Sequence, residues 1–260
     1  MLQPLLALAL ALSGAVPGTI SGPLPDPLAD QTQARAAGPL SGRTVVIDPG
    51  HQLGNSSHPA QVSRSVWAGY GRKACNSTGT ATNAGFPEAT FNWRVARRMQ
   101  KDLERLGARV MLTRHSNSRK RWGPCIDVRG RLGNRVHADV KISIHGDGTY
   151  ARGAHGFHVI YAPHRGLTAD TYRGSRAAAL ATRAAMQRAG FVRANYIAGG
   201  DGLDVRSDLG TLNLSNMPTV MVECGNMRDP GDAARMTSSR GQQRYAAALV
   251  KGIKTFLATR

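Results

Sequence analysis

TVVIDPGH, at residues 44–51, is the segment from which the fold class of this chain of 260 residues is best inferred. It opens with a β-branched run typical of a buried strand, and the turn residues Asp48-Pro49-Gly50 end that strand. Residues 140–145 (VKISIH) and 219–223 (TVMVE) are also largely apolar runs that end in a polar side chain. Such segments predict strands of a buried sheet, each with a polar residue near its carboxyl end.

Amphipathic helices are predicted between these strands. The first begins after Pro87 and ends at Gly107. Its apolar residues recur three or four positions apart, at Phe91, Val95, Met99, Leu103 and Leu106. Similar spacing predicts helices over residues 127–138, 175–189 and 242–257. Strands that alternate with helices predict an α/β fold, here a single domain with a mixed, mostly parallel β-sheet flanked by helices on both faces.

The N-terminal region has a different composition. Residues 5–12, LLALALAL, are too few to span a bilayer, which needs about 20 apolar residues, and are typical of the core of a secretory signal peptide. We therefore expect a signal peptide over residues 1–15 and a secreted, periplasmic or cell-wall protein, although no Lys or Arg precedes the run. The alternative is an apolar tail without a targeting role. Residues 16–42, rich in Pro, Gly and Ala, predict a linker, and a folded domain is expected over residues 43–258.

The charge is strongly positive. There are 34 Lys and Arg against 16 Asp and Glu, a net charge of +18, and the cations are spread along the chain without a basic block. This excess predicts attraction to an anionic partner such as an acidic wall polymer, or else only a well-solvated basic surface. No nucleic-acid-binding motif is present, so specific nucleic-acid binding is not expected. The apolar content of 41% excludes a fibrous, wholly disordered or multi-span membrane protein.

Four polar residues occupy positions suited to catalysis. His51, His145 and Glu223 follow predicted strands, at the edge of the sheet where ligand sites of α/β proteins lie, and Glu88 begins the first long helix. Two histidines and one carboxylate are a common ligand set for catalytic zinc, and a second carboxylate can act as general base. Simpler explanations remain open, because Glu88 also suits the helix dipole and a histidine after a strand is often a hydrogen-bonded loop residue.

The motifs around these residues resemble a known family. IDPGH (residues 47–51), PEATF (87–91), SIHGDG (143–148) and PTVMVECGNM (218–227) occur in this order in the zinc-dependent N-acetylmuramoyl-L-alanine amidases of bacterial cell walls. These are the autolysin-type enzymes. The resemblance covers residues 43–257 and is greatest to the compact, single-domain actinobacterial form.

The resemblance implies specific roles. His51, Glu88 and His145 would ligate Zn²⁺, and Glu223 would be the catalytic base. The substrate would be the amide that joins the lactyl group of N-acetylmuramic acid to L-Ala of the peptidoglycan stem peptide. The expected partner is thus peptidoglycan or a muropeptide, and the protein is expected to be a monomer. Gln52 stands where many relatives have a second Gly, which predicts a differently shaped cleft.

Two other functions remain open at this point. A zinc carboxypeptidase that trims the stem peptide would use the same ligand set. A non-catalytic wall-binding relative would keep the fold but not the activity, although such a protein usually loses one of the four site residues.

The cysteines predict one disulfide bond. Cys75 lies in a long segment, residues 52–86, that is rich in Ser, Gly, Asn and Thr and has no apolar period. A loop of this length needs an external restraint, and in an exported protein a bond to Cys125 would supply it. Two free thiols are the alternative. Cys224 follows Glu223 on a core strand and is expected to be a buried free thiol.

Three further residues are candidates for supporting roles. Asp48 either orients the imidazole of a zinc ligand or caps the turn that follows it. Arg206 and Asn213 precede the final strand, and each either contacts substrate or shapes its own loop. His155 and His158 are expected at the surface, with one of them facing the cleft as the alternative.

Overall fold

The computed structural model describes residues 38–260, so the predicted signal peptide and most of the predicted linker lie outside the described residues. The strands are β1 (Thr44–Pro49), β2 (Ser65–Trp67), β3 (Arg72–Ala74), β4 (Arg109–Leu112), β5 (Val140–Asp147), β6 (His158–Tyr161), β7 (Leu203–Val205) and β8 (Thr219–Asn226). The α-helices are α1 (Pro59–Ser63), α2 (Glu88–Arg105), α3 (Ile126–Arg135), α4 (Ala169–Arg188), α5 (Gly210–Asn213), α6 (Pro230–Thr237) and α7 (Ser239–Leu257).

Six strands form one sheet in the order β4-β1-β5-β8-β6-β7. Neighbouring strands are parallel except for β6 and β8, which are antiparallel. Helices cover both faces, since α2, α4 and α7 pack on one and α3 and α5 on the other. The predicted α/β domain with a mixed, mostly parallel sheet is therefore confirmed.

Strand alternation separates the hydrophobic core from the polar face of the sheet. Val140, Ile142 and Ile144 of β5 belong to the main core with α2, α4 and α7. Because successive side chains of a strand point to opposite faces, Lys141 and His145 lie on the face covered by α3 and α5. The candidate site residues of β5 and β8 all lie on this second face.

A buried lysine fastens that second layer to the sheet. The Lys141 side chain is fully buried, and its Nζ donates hydrogen bonds to the carbonyl oxygens of Arg129 (3.1 Å), Gly130 (2.8 Å) and Thr211 (3.0 Å). An ammonium group has three donors, so each of its hydrogens has an acceptor. α3 and α5 are thereby held over β5, close to the site.

The predicted helices are present, with differences at their starts and at the end of α3, which is Arg135 and not residue 138. α2 and α7 agree closely with prediction, but α4 begins at Ala169, six residues before its predicted start at residue 175. The reason is that its first turns are polar and lack the apolar spacing on which the prediction relied. In α3, Val128 is 46% exposed, so this apolar residue of the helix lies outside the core.

The segment over residues 52–86 is more ordered than its composition predicts. It contains α1 and the β2–β3 hairpin, whose side chains are mostly exposed. An exposed hairpin has no apolar alternation, so this element could not be inferred from the sequence. The end of the predicted linker is also ordered, because Leu40 is buried and its N–H donates to the Leu106 carbonyl (2.9 Å).

The predicted disulfide bond is confirmed, since Cys75 and Cys125 are joined and Cys224 is a buried free thiol. The bond closes a loop of 50 residues. It lies at the end of the hairpin, where the Ile126 N–H also donates to the Cys75 carbonyl (2.7 Å). The hairpin is therefore anchored to the start of α3.

In the described part of the chain, every helix is too short or too polar to cross a bilayer.

Removing this bond should lower stability without unfolding the protein. For a Cys75→Ser/Cys125→Ser variant we expect the free energy of unfolding to fall by about 2–4 kcal/mol, because the unfolded chain regains the freedom of the closed loop. Urea denaturation measures the effect. Reductant should produce the same loss in the wild type and no further loss in the variant. A wild type that is insensitive to reductant in the unfolding experiment would contradict this expectation.

Candidate active site

The four motif residues meet at the carboxyl ends of the central strands. His51 lies two residues beyond β1, His145 is near the end of β5, and Glu223 is paired with His145 across β5 and β8. Glu88 is the first residue of α2. The structure therefore brings together all four residues that the sequence singled out.

Glu88 lies between the two imidazoles. Its Oε2 is 3.2 Å from His51 Nε2 and its Oε1 is 3.0 Å from His145 Nδ1. The two rings stand edge to face with their centroids 4.9 Å apart. One donor atom from each of the three residues lies within 4.8 Å of the others. This His/Glu/His cluster can hold a metal ion.

The carboxylate of Glu88 is held in its ionised form. Its oxygens accept hydrogen bonds from the backbone N–H groups of Thr80 (2.9 Å) and Gly146 (3.2 Å) and from Asn92 Nδ2 (3.2 Å). Burial raises the pKa of this group, but His51 and His145 outweigh that effect and hold the pKa well below its usual range. The position at the N-terminus of α2 also favours the negative charge.

A backbone carbonyl that the sequence did not identify lies within hydrogen-bond distance of the His51 ring. His51 Nδ1 lies 3.0 Å from the Ser77 oxygen, which also accepts a hydrogen bond from Asn55 Nδ2 (2.7 Å). An Nδ1–H that donates to this carbonyl leaves the Nε2 lone pair free to bind a metal ion on the side of the ring that faces Glu88. Ser77 belongs to the loop that follows Cys75, so the disulfide bond also restrains the partner of this imidazole. Because every residue has a backbone carbonyl, the type of residue 77 could not indicate this contact.

Two glycines allow the cluster to close. A Cβ on Gly50 would lie 2.2 Å from the His145 ring, and one on Gly79 would lie 2.6 Å from Glu88 Oε2. Gly79 also has a φ of +78°, and His51 itself has a φ of +57°, which is uncommon for a residue with a side chain. Backbone conformations of this kind are concentrated at functional sites.

The role of Asp48 differs from both predicted alternatives. Asp48 is buried and bonds to Thr113, to Ser143 Oγ (2.7 Å) and to Arg129 Nη1 (2.6 Å), rather than to an imidazole or to the turn that follows it. The residue that orients the His51 ring is Ser77. Burial raises the pKa of Asp48, but the charge of Arg129 and the hydrogen bond from Thr113 outweigh it and hold the pKa well below its usual range.

Arg129 connects Asp48 to the site. Its guanidinium is buried and donates to the carbonyl oxygens of Pro49 (2.8 Å) and His51 (2.7 Å) as well as to Asp48. It also donates to Gly123 O (3.2 Å) in the loop before α3. One buried cation thus holds the backbone that carries His51. Arg129 lies within a predicted helix, and nothing in its spacing distinguishes it from the surface arginines.

Glu223 carries a carboxylate oxygen without a partner. Its side chain is partly buried, and Oε2 is enclosed with no hydrogen-bond donor among the described residues. Burial raises the pKa of Glu223 well above its usual range, and the charges of Glu88 and Asp147 add to this effect, while Arg206 opposes it. Because Glu223 is only partly buried and lines the cavity beside the cluster, its carboxylate can reach a molecule bound there and accept a proton from it.

A cavity of about 380 Å³ opens beside these groups and is lined by His51, His145 and Glu223. Arg206 also lines it. Asn213 instead shapes its loop, because it is buried and its Nδ2 donates to the carbonyls of Ala68 (2.9 Å) and Ser207 (2.8 Å).

His158 also lies close to Glu223. The antiparallel register pairs His158 of β6 with Glu223 of β8, so the two side chains project from the same face. His158 is buried, contrary to the expected surface position, and its ring stands edge to face with Tyr196. Tyr196 in turn donates to Asp147 Oδ2 (2.9 Å). The predicted alternative was that His155 or His158 faces the cleft. The register places His158 on the same face of the sheet as Glu223.

Comparisons with known proteins agree with the motifs. Residues 45–255 match the Amidase_3 family, whose description is N-acetylmuramoyl-L-alanine amidase. The chain is 42% identical over 221 residues to the N-acetylmuramoyl-L-alanine amidase Rv3717 of Mycobacterium tuberculosis, a match that covers 85% of this chain and 88% of the relative. The match favours the amidase over the carboxypeptidase and the non-catalytic alternatives.

Solved structures show the same fold. The N-acetylmuramyl-L-alanine amidase Ami1 of Mycobacterium smegmatis superposes with a TM-score of 0.80 and is 39% identical, covering 85% of this chain and 99% of that one. The apo form of Ami1 from Mycobacterium abscessus has a TM-score of 0.76 and is 41% identical, covering 84% of this chain and 99% of that one.

Proposed function

Because the chain belongs to the N-acetylmuramoyl-L-alanine amidase family, we propose that His51, Glu88 and His145 hold Zn²⁺ and that Glu223 is the general base. The bond cleaved is the amide between the lactyl group of N-acetylmuramic acid and L-Ala of the peptidoglycan stem peptide. The observation that carries the proposal is the position of Glu223, which lines the cavity, has a carboxylate oxygen without a donor among the described residues, and is paired across the sheet with His145 of the His/Glu/His cluster.

The donor set fits zinc. Two imidazole nitrogens and one carboxylate are the protein ligands of many catalytic zinc sites, which keep a fourth position open. With Nδ1–H donating to the Ser77 carbonyl, His51 Nε2 would be available to the metal, and the cavity opens beside the cluster. A buried carboxylate between two imidazoles is also the arrangement expected where a cation is to be bound.

The chain's own residues account for the proton transfers. When bound, Zn²⁺ would polarise the scissile carbonyl, lower the pKa of the attacking water and offset the negative charge of Glu88. The Glu223 carboxylate accepts a proton from that water. It then delivers the proton to the amide nitrogen, so that the stem peptide leaves with a neutral amine.

The setting of this activity follows from the substrate. Peptidoglycan lies outside the cytoplasm, so we place the protein in the secreted or cell-wall compartment, as the expected signal peptide also requires. We further propose that it acts as a monomer, since the four residues of the site come from one chain. Its net charge of +18 would attract anionic wall polymers.

Mass spectrometry of muropeptides tests this function. Incubation of N-acetylmuramoyl peptides with the zinc-loaded protein should release intact peptides that begin with L-Ala. A sample treated with a chelator should release none, and addition of Zn²⁺ should restore the release. Shortened peptides that remain attached to muramic acid would show a carboxypeptidase instead, and unchanged muropeptides with zinc bound would overturn the proposed activity.

A further inference from the structure

Two partly exposed cationic side chains line the catalytic cavity without a role in the proposed proton transfers, whereas Arg129, the third cation of the lining, is buried and paired with Asp48. Lys73, on β3 of the exposed hairpin, and Arg206, directly after β7, line the same cavity as His51, His145 and Glu223. They come from segments that are far apart in the sequence. The fold brings them together at the edge of the cleft.

Both cations contact one acidic residue. Lys73 Nζ donates to Asp208 Oδ2 (2.9 Å) and to the Asp208 carbonyl (2.9 Å). Arg206 contacts the same carboxylate through Nε (2.9 Å to Oδ1) and Nη2 (2.8 Å to Oδ2). The cluster therefore contains two positive charges and one negative charge.

The contacts to Asp208 leave donors unused. An ammonium group has three N–H donors and a guanidinium has five, and only two of each are engaged with Asp208. Roughly half of each side chain is exposed, so both cations can reach a ligand in the cavity. A net positive charge with free donors at a cleft edge is suited to a carboxylate.

We propose that Lys73 and Arg206 form a subsite that binds a free carboxylate on the second residue of the stem peptide, counted from L-Ala. This inference rests on the proposed function, because it takes the scissile amide to lie at the His/Glu/His cluster. It assigns to this chain a preference for stem peptides whose second residue is D-Glu over those in which that carboxylate is amidated.

The dimensions of the cavity agree with this assignment. Two residues of extended chain span about 7 Å, a length that a cavity of about 380 Å³ accommodates. The disulfide bond holds the subsite in place, since Cys75 follows Lys73 by two residues and is anchored to Cys125 at the start of α3. The same disulfide bond therefore restrains both the subsite and the loop whose Ser77 carbonyl contacts His51.

The alternative role for the three residues is a surface clasp that only secures the hairpin. A clasp would affect all substrates equally, whereas a carboxylate subsite discriminates between substrates that differ only in that group. The test therefore compares N-acetylmuramoyl-L-Ala-γ-D-Glu-L-Lys with N-acetylmuramoyl-L-Ala-D-isoglutaminyl-L-Lys, in which the γ-carboxyl of the second residue is bonded to Lys and only its α-carboxyl group differs. These two compounds share the scissile bond and differ in a carboxylate against a carboxamide.

We expect the wild type to hydrolyse the D-Glu compound with a kcat/KM about tenfold higher, as is typical for one or two charge-assisted hydrogen bonds at a partly exposed site. In Lys73→Met and Arg206→Met the ratio should fall toward one, mainly through KM for the D-Glu compound. Lys73→Arg should keep most of the preference, because it preserves the charge.

Arg72→Met is the matched control. Arg72 is the neighbour of Lys73 in the hairpin and bonds to Ser65 instead of lining the catalytic cavity. This variant should keep the wild-type ratio. Equal kcat/KM for both compounds, a ratio unchanged in Lys73→Met and Arg206→Met, or loss of the preference in Arg72→Met would each overturn the subsite. Failure to cleave either compound would instead overturn the proposed function.

Discussion

Replacement of Glu223 by glutamine should lower kcat by about 10³-fold, because a positioned general base contributes about 10²–10⁴-fold. Glutamine has nearly the same shape as glutamate but cannot accept the proton of the attacking water. The change also removes an enclosed carboxylate that lacks a hydrogen-bond donor among the described residues. We therefore expect the variant to fold at least as stably as the wild type. The release of L-Ala-initiated peptides measures the loss of activity.

Zinc content separates this result from loss of the metal. Glu223→Gln should bind one zinc ion per chain, as the wild type is expected to, when measured by elemental analysis. Glu104→Gln is the matched control, since Glu104 is exposed on α2, and its kcat should equal that of the wild type. Activity in Glu223→Gln within tenfold of the wild type would show that another group acts as the base. His158, which is paired with Glu223 across the sheet, would be the first residue to examine.

Replacement of Asp48 by asparagine should cause the largest loss of stability. The Asp48 carboxylate and the Arg129 guanidinium are both buried, and Asp48 Oδ1 lies 2.6 Å from Arg129 Nη1. Removal of one partner leaves an uncompensated buried charge, which costs about 3–5 kcal/mol of unfolding free energy. Chemical denaturation at neutral pH measures the loss. Asp170→Asn, at an exposed residue in the first turn of α4, should change stability by no more than about 0.5 kcal/mol.

The same variant should also weaken zinc binding. Arg129 donates to the His51 carbonyl (2.7 Å), so loss of its partner loosens the backbone that carries this ligand. Losing such indirect support typically lowers metal affinity by about 10–100-fold. Competition with a chromogenic chelator measures the change in affinity. Unaltered zinc affinity together with reduced stability would show that the ion pair supports the fold alone.

The stabilisation by the Asp48–Arg129 ion pair should decrease in acid. In the folded protein the pKa of Asp48 lies well below its usual range, whereas in the unfolded chain it is about 3.9. The ion pair therefore stabilises the protein above pH ~4 and loses that contribution as the pH falls below it. The difference in unfolding free energy between wild type and Asp48→Asn should accordingly narrow as the pH falls below ~4. A difference that stays constant from pH 7 to pH 3 would contradict this explanation.

Much of the fold could be predicted because its elements are local patterns. The β-branched run before Asp48 and the helical spacing from Phe91 to Leu106 depend only on neighbouring residues, and both elements are present as predicted. α4 began earlier than expected, and the β2–β3 hairpin was not predicted. Both segments are polar and exposed, so they lack the apolar periodicity on which such predictions depend.

The residues of the candidate site could also be predicted only in part from the sequence. Residue types and positions made His51, His145 and Glu223, which follow strands, and Glu88, which begins a helix, candidates for a catalytic site. The resemblance to the amidases then implied their separate roles. The length of the loop that contains Cys75 also predicted a restraint on it, and a bond to Cys125 supplies that restraint.

The contacts that hold these groups could be read only from the tertiary structure. The Ser77 carbonyl, the Arg129 guanidinium and the Lys73–Asp208–Arg206 cluster join segments that lie tens of residues apart. A buried polar atom takes whichever donor or acceptor the packing places within about 3 Å. That partner is a property of the folded arrangement and not of the residue type. For this reason Asp48 supports the site through Arg129, although its position in the sequence favoured a direct contact with His51 or with the turn.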